Sequence, residues 1–242
     1  VFSDYMKPAI RLSAIQELPV KYVWTHDAFR VGEDGPTHQP VEQEAQIRLL
    51  EKLKNHSGHS SFLALRPADS AETVASWKLA LENKNTPTGL ILSRQGIKDL
   101  PTNGESRYKD ASHTSKGGYV VKDAENPDVV LIANGSEVST LMEGAKLLEE
   151  KLSIKSKVVS VPSEGLFRQQ SKSYQEEVIP SDVISFGLTA GLPVNLEGLV
   201  GRNGKIFGLD HFGYSAPASV LDNKFGFTGE NVFNQVKELL NK

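Results

Sequence analysis

The chain has 242 residues, 27 basic and 30 acidic side chains, a net charge of −3 and no cysteine. This length suits one large or two modest domains, and we predict two. The near balance of charge excludes the broad positive field that nucleic-acid binding needs, and the lack of cysteine excludes disulfides, thiolate metal sites and cysteine nucleophiles. No apolar run approaches the roughly 20 residues of a membrane span, and the first residues lack a signal-peptide pattern. We therefore expect a cytoplasmic protein that binds neither nucleic acid nor membrane.

The first block of the chain alternates helix and strand patterns. Residues 4–18 predict an amphipathic helix, whose apolar face carries Met6, Ile10, Ala14 and Leu18. Three apolar runs predict strands: "KYVW" (21–24), "FLAL" (62–65) and "GLILS" (89–93). One helix between them carries Val41, Ala45, Leu49 and Leu53 on one face. Another begins at Asp69, with Glu72 at capping-box spacing, and we expect it to bury Val74, Trp77 and Leu81.

This alternation predicts parallel βαβ units, but three strands are few for an open α/β sheet. We therefore expect residues 1–97 to form an incomplete domain. Residues 98–117 are poor in apolar side chains, and we predict a stretched linker there.

The second block, residues 118–242, predicts a complete doubly wound α/β domain. Its expected strands are "YVV" (119–121), "VVLIA" (129–133), "KVVSV" (157–161), "VISFGL" (183–188) and "KIFGL" (205–209). Its expected helices start at Ser136 or lie near 165–178, 194–200, 216–224 and 228–241.

Polar groups concentrate in "THDAFRVGEDGPTHQP" (25–40), directly after the first predicted strand. Ligands of parallel α/β sheets gather at the carboxyl ends of strands, so we predict a polar-ligand site that includes His26, Asp34 and His38. The alternative is a solvated loop. Arg94, after the third strand, either clamps a phosphate or forms a surface salt bridge.

Three further patterns have plain structural explanations. His26, Asp34 and His38 could bind a metal with His56 and His59, but no H-E-x-x-H or EF-hand spacing is present, and we predict no metal site. "NGSE" (134–137) could bind an anion through backbone N–H groups, although a helix cap at Ser136 is the simpler explanation. Similarly, Phe2 and Tyr5 suit a core or an aromatic stacking surface.

Several strings together identify a family that the chain resembles. They are "FSDYMKPAIRLSA", "WTHD", "GEDGPTHQPVEQ", "RPADSAET", "WKLALE", "ILSRQ", "KGGYVVKD", "GSEV" and "FGFT". Their order and spacing resemble transketolases over nearly the whole chain, and "GEDGPTHQP" is the most specific string. The resemblance implies part of a thiamine-diphosphate pyrimidine-binding domain, followed by a transketolase-like C-terminal domain.

The resemblance also implies roles for individual residues. Phe2 matches the aromatic residue that stacks on the cofactor's aminopyrimidine ring, and Tyr5 matches a wall of that pocket. His26 and Arg94 match groups that hold the substrate's phosphate. Asp34 matches the carboxylate on the sugar's C2 hydroxyl, and His38 matches the catalytic histidine beside the reacting carbons.

By resemblance, the parent enzyme is a homodimer of the pentose phosphate pathway. It transfers a two-carbon ketol unit between sugar phosphates with thiamine diphosphate and a divalent cation, Mg or Ca. The family's diphosphate-binding domain is missing here, and its catalytic glutamate would precede Val1, so we expect this chain alone to bind no cofactor and to be inactive. Two departures are "NHSGHSS" (55–61), which looks like an insertion, and "FGLTAGLP", which lacks the family's glutamate. The alternatives are a non-catalytic α/β module for dimerisation or small-ligand binding, and a related ketol transferase that accepts formaldehyde.

Overall fold

Helices and strands alternate along the chain in the computed structural model, which describes residues 3–241. The strands are β1 (Lys21–Trp24), β2 (Leu63–Leu65), β3 (Thr88–Ile91), β4 (Tyr119–Lys122), β5 (Val129–Ala133), β6 (Ser156–Ser160), β7 (Ser185–Leu188) and β8 (Lys205–Phe207). The α-helices are α1 (Lys7–Ile15), α2 (Gln43–Glu51), α3 (Ser70–Glu82), α4 (Arg107–Ala111), α5 (Glu137–Leu152), α6 (Glu164–Arg168), α7 (Lys172–Val178), α8 (Ala218–Phe225) and α9 (Gly229–Leu239). Short 3₁₀ turns occupy Asp4–Met6, Phe29–Val31, Ser112–Lys116 and Pro193–Leu196.

The first sheet has three parallel strands in the order β1-β3-β2. β3 lies in the middle and is buried throughout, which agrees with the apolar run "GLIL" (89–92). Gly89 in this strand lets Trp24 and Phe62 pack close to the backbone, since a Cβ there would lie 2.6 Å from the Trp24 ring. The three predicted strands are confirmed: β1 has the predicted ends, and the ends of β2 and β3 are shifted by at most two residues.

The second sheet has five strands in the order β4-β6-β5-β7-β8, and only β4 runs antiparallel to its neighbour. β5 is central and buried along its whole length. Helices α5 and α9 cover one face, while Phe167, Val178 and Leu196 belong to the cluster on the other. The doubly wound domain is therefore confirmed. The predicted helix over 165–178 is divided into α6 and α7, and the one near 194–200 is a 3₁₀ turn.

The predicted buried face of α3 is wrong. Val74, Trp77 and Leu81 are exposed, whereas Ala71 and Ala80 face the protein interior. Small side chains let the helix approach the neighbouring elements closely, so the larger apolar residues are left on the outer face. The capping prediction holds, because Asp69 Oδ1 accepts the Glu72 N–H at 2.8 Å.

The predicted apolar faces of the two earlier helices are only partly right. Val41 is buried, but Leu49 and Leu53 are exposed, and α2 buries Ile47 together with charged side chains instead. In the first helix Ile10 and Ala14 are buried as expected, whereas Met6 and Leu18 are exposed.

The segment expected to be a stretched linker is partly helical. It contains α4 and the turn Ser112–Lys116, and both contact α3. Arg107 fixes it, donating from Nε to Asp69 Oδ2 at 2.6 Å and from Nη2 to the Tyr119 hydroxyl at 2.7 Å. The domain boundaries themselves stay a prediction.

The carboxyl edges of the two sheets face each other. Arg66, the first residue after β2, donates its N–H to Pro162 O at 2.9 Å and accepts from the Gly135 N–H at 3.1 Å. These contacts join the ends of β2, β5 and β6. Among the described helices, none combines the length and apolar character of a membrane span.

Candidate functional site

The loop after β1 folds back so that His26, Asp34 and His38 line one cavity of about 380 Å³. Trp24, Thr25 and Val31 complete much of its wall. The cavity lies at the carboxyl edge of the first sheet, where parallel α/β proteins bind ligands. Imidazole and carboxylate groups around one cavity can hydrogen-bond a polyhydroxylated ligand, and an imidazole can also donate or accept a proton. We call residues 25–40 the site loop.

Glycines let the site loop press its backbone against the second domain. Gly32 and Gly35 have φ values of +86° and +77°, in the left-handed region that favours glycine. A Cβ at these positions would lie 3.3 Å from Ala216 O and 3.2 Å from the Ser215 Cβ. The Gln39 amide donates to Gly32 O at 3.0 Å and to Tyr214 O at 2.9 Å. The loop backbone is therefore fastened, while Asp34 and His38 remain exposed towards the cavity.

Two threonines orient the two histidines, and sequence reasoning missed them. Thr25 Oγ1 lies 2.9 Å from His26 Nδ1, and Thr37 Oγ1 lies 2.8 Å from His38 Nδ1. A bond at Nδ1 restricts both the ring's rotation and its tautomer. The signal was present in the sequence, since the pair Thr-His occurs at both ends of the site loop.

A buried ion pair holds the start of the site loop. Arg66 donates from Nε and Nη2 to Asp27 Oδ2, at 3.0 Å and 2.6 Å. The next residue, Ala28, has a φ of +52°, which costs about 1 kcal/mol or more for a residue with a Cβ. The fixed Asp27 helps to maintain this strained turn beside His26.

The same arginine reaches the second domain through Glu137. Its Nη1 donates to Glu137 Oε2 and, at 2.6 Å, to Asn134 Oδ1. Burial alone would raise the pKa of Glu137, but the guanidinium groups of Arg66 and Arg30 outweigh it and lower that pKa. Burial likewise opposes the charge of Arg66, yet the carboxylates of Glu137, Asp27 and Glu44 raise its pKa well above the usual value. Glu137 and Arg66 are therefore both charged in this contact.

"NGSE" has a different role from the helix cap expected. Ser136 makes no side-chain cap hydrogen bond to α5. Its hydroxyl instead accepts from Arg30 Nη1 at 2.9 Å and from Gln95 Nε2 at 3.2 Å.

The remaining candidate residues lie outside this cavity or outside the described part of the chain. Arg94 is exposed three residues beyond β3, at the same edge of the sheet, but it does not line the cavity. Tyr5 is 89 % exposed in the first 3₁₀ turn, and the prediction for Phe2 lies outside the described residues. His56 and His59 lie in an exposed turn. Within residues 3–241, no group of three or more His, Asp or Glu side chains is placed to hold a metal ion.

A polar cavity at the strand ends of one parallel sheet, next to a second doubly wound sheet, places the chain in the α/β class that binds ligands at strand ends. Two family models refine this class. The transketolase pyrimidine-binding domain matches residues 1–98, and the transketolase-like TK C-terminal domain matches residues 117–228. The chain therefore belongs to the transketolase family and carries these two domains, which confirms the family and fold that the sequence predicted.

Individual relatives agree with this assignment. The transketolase of Bacillus subtilis is 44% identical over 246 residues, covering 100% of this chain and 35% of the relative. The transketolase of Leishmania mexicana superposes with a TM-score of 0.86 at 38% identity, covering 99% of this chain and 33% of that one. A Pichia stipitis transketolase in complex with sedoheptulose 7-phosphate gives a TM-score of 0.84 at 35% identity, with coverage of 99% and 33%.

The chain thus spans about a third of the length of these relatives. A shorter solved chain, described as a split gene transketolase in an inactive β4 tetramer, is 23% identical with a TM-score of 0.70. The match covers 99% of this chain and 74% of that one, and it shows a shared fold.

Proposed function

We propose that this chain is the sugar-phosphate-binding part of a transketolase subunit. The subunit transfers a two-carbon ketol unit from a ketose phosphate to an aldose phosphate, in the cytoplasm and within the pentose phosphate pathway. The observation that carries this proposal is the convergence of His26, Asp34 and His38 on one cavity at the sheet edge. The sugar phosphate bound by the Pichia stipitis relative supports this ligand class.

Each residue has a distinct role in the proposal. His26 and Arg94, which share the carboxyl edge of β1 and β3, bind the phosphate group through charge and hydrogen bonds. Asp34 accepts a hydrogen bond from the sugar's C2 hydroxyl. His38 is the catalytic residue that hydrogen-bonds the hydroxyls beside the reacting carbons and transfers their protons. Thr25 and Thr37 keep the two imidazole rings oriented.

The described residues fit the sugar phosphate better than they fit the cofactor. Thiamine diphosphate and its divalent cation, Mg or Ca, need a metal site and an aromatic pocket. The described residues provide no such metal cluster, and Tyr5 is too exposed to form a pocket wall by itself. In this proposal the enzyme is a homodimer of longer subunits, and other parts of the subunit hold the diphosphate and the metal. Phe2 and Tyr5 complete the pocket around the pyrimidine ring. The chain alone is then inactive.

A chimeric enzyme tests the proposed function. The chain replaces the matching C-terminal third of the Bacillus subtilis transketolase, and ketol transfer from xylulose 5-phosphate to ribose 5-phosphate is measured. We expect transfer by the chimera, a fall in kcat/KM of about 100-fold or more for His38→Ala, and mainly a higher KM for His26→Ala. His56→Ala, on an exposed turn outside the cavity, is the matched control.

Two results would contradict the proposal. One is a folded chimera that binds thiamine diphosphate but transfers no ketol unit. The other is a His38→Ala chimera as active as His56→Ala. Calorimetry of the isolated chain with thiamine diphosphate tests the inactivity of the chain separately, because tight binding there would show that it holds the cofactor unaided.

A further inference from the structure

The middle of the site loop is inserted into the second domain. Phe29 is completely buried, and its ring centroid lies 5.1 Å from that of Phe225 and 4.8 Å from that of Phe227. The guanidinium carbon of Arg30 lies 5.0 Å from the centroid of the Phe29 ring. The loop that carries His26 and His38 therefore packs against residues of the second domain.

One carboxylate of the second domain serves two arginines of the first. Glu137, the first residue of α5, is completely buried. Its Oε1 accepts from Arg30 Nη1 at 2.5 Å, and its Oε2 accepts from Arg66 Nη1. Arg30 also donates from Nε to Asp222 Oδ1 at 2.7 Å. Because Arg30 lies within the site loop and Arg66 lies at the end of β2, Glu137 links the loop to the sheet that supports it.

The link continues to the edge of the cavity. Arg66 holds the Asp27 carboxylate through two hydrogen bonds, and the Asp27 N–H donates to Leu92 O at 3.2 Å. Asp27 directly follows His26 in the chain. A displaced Arg66 would therefore displace the residue next to a cavity-lining imidazole.

The location of Glu137 in its own sheet is also informative. Strands β6 and β7 lie on opposite sides of β5, so the chain reverses its direction of winding at the carboxyl end of β5. In open α/β sheets this crevice is where a ligand binds. Here Arg30 and Arg66 of the first domain fill it. Gly135, with a φ of +58°, makes room, since a Cβ there would lie 2.6 Å from Arg66 Cζ.

We propose that Glu137 is a positioning residue for the sugar-phosphate site, holding the site loop in its binding conformation through Arg30 and Arg66. The proposal rests on the proposed function for the identity of the site. The loop needs such a restraint because Ala28 keeps a strained φ of +52°, which relaxes unless surrounding contacts maintain it. The second domain thereby contributes to substrate binding without touching the substrate.

Amide hydrogen exchange of the full 242-residue chain tests the restraint without any ligand. In Glu137→Gln we expect exchange across residues 26–38 to accelerate about tenfold or more, while the amides of β5 and β6 keep their rates. Glu230→Gln is the matched control, because Glu230 is an exposed glutamate paired with Lys151 at 3.2 Å in the same domain. This control should leave the loop unchanged.

A second variant and a second readout separate positioning from simple loss of stability. Arg30→Gln removes the loop's bond to Glu137 but keeps Arg66 with Asp27 and Glu137, so it decides the question if Glu137→Gln does not fold. NMR of the imidazole Cε1–H groups of His26 and His38 should show moved resonances in the folded variants. A merely structural role would lower the unfolding midpoint and leave these resonances in place. Native loop exchange together with native imidazole resonances in folded Arg30→Gln would overturn the proposal.

The chimeric transketolase separates this proposal from the proposed function. We expect the Glu137→Gln chimera to show a KM for xylulose 5-phosphate raised about tenfold or more, with Glu230→Gln unchanged. An active wild-type chimera with an unaffected Glu137→Gln variant would reject the positioning role alone. An inactive wild-type chimera would reject the proposed function, while the exchange experiment would still report on the restraint.

Discussion

Glu51 should make the stability of this protein depend on pH near neutrality. It is the last residue of α2, and burial raises its pKa to about 7 even though Arg48 lies close by. Glu51 Oε1 accepts the Ala64 N–H at 2.9 Å, and Oε2 lies 3.5 Å from Arg48 Nη1. Because the carboxyl group is buried where α2 meets β2 and α6, it loses most of the hydration that would stabilise its charge.

The size and sign of the effect follow from this pKa. Unfolding returns Glu51 to a pKa of 4.5, so the folded chain binds the extra proton between pH 4.5 and about 7. Its stabilising contribution is complete below pH 4.5 and is lost as the pH rises through 7. At about 1.4 kcal/mol per pKa unit, the loss is about 3 kcal/mol. Glu51→Gln keeps an acceptor for the Ala64 N–H but has no proton to lose.

Denaturant titrations between about pH 4 and pH 8 measure this contribution. All other groups are the same in both proteins, so the informative quantity is the difference in unfolding free energy between wild type and Glu51→Gln at each pH. We expect this difference to shift by about 3 kcal/mol in favour of the glutamine variant with rising pH. Glu150→Gln, at an exposed position on α5, is the control with no such trend. Parallel stability curves for wild type and Glu51→Gln would refute the reasoning.

Two further predictions concern backbone space and helix orientation. Gly135→Ala should lower the unfolding free energy by about 2 kcal/mol or more, because Gly135 has a φ of +58° and an added Cβ would lie 2.6 Å from Arg66 Cζ. Denaturant titration measures this loss. A loss below about 0.5 kcal/mol would contradict the close approach of Arg66. Val74→Lys, on the exposed face of α3, should change thermal stability little. Ala80→Lys, on the buried face, should prevent folding or strongly lower the thermal unfolding midpoint. Equal effects of the two substitutions would contradict the observed orientation of α3.

The strands were predictable because their burial is simple. β5 is an unbroken apolar run and is buried on both faces, so "VVLIA" matches the observed strand. β1 likewise matches "KYVW". Such runs need no knowledge of distant residues.

The helix faces were less predictable because apolar residues do not all point towards this chain's own core. α3 buries Ala71 and Ala80 and leaves Val74, Trp77 and Leu81 outside. From sequence alone, the larger apolar stripe is the natural choice for the buried face. The buried face of α3 is instead set by how closely its backbone approaches the neighbouring elements, which the sequence pattern does not report.

The loop that lines the cavity was predictable from the sequence, but its contacts with the second domain were not. Two glycines, two histidines and Asp34 after a strand indicate a ligand site at the sheet edge. The link between Arg66 and Glu137 joins residues 71 positions apart, and neither local sequence marks the other as its partner. The periodicity of apolar residues indicates which side chains are buried together only within one helix or strand. An ion pair between two domains therefore cannot be predicted from it.

The buried charges explain why the two sheets meet in one arrangement. An apolar interface tolerates small sliding movements, whereas Glu137 satisfies Arg30 and Arg66 only where all three groups meet. Removing one partner would leave a buried charge unpaired, which costs several kcal/mol. The crevice at the carboxyl end of β5 is therefore occupied by Arg30 and Arg66 of the first domain. This arrangement leaves the strand ends of the first sheet, with His26 and His38, open to the cavity.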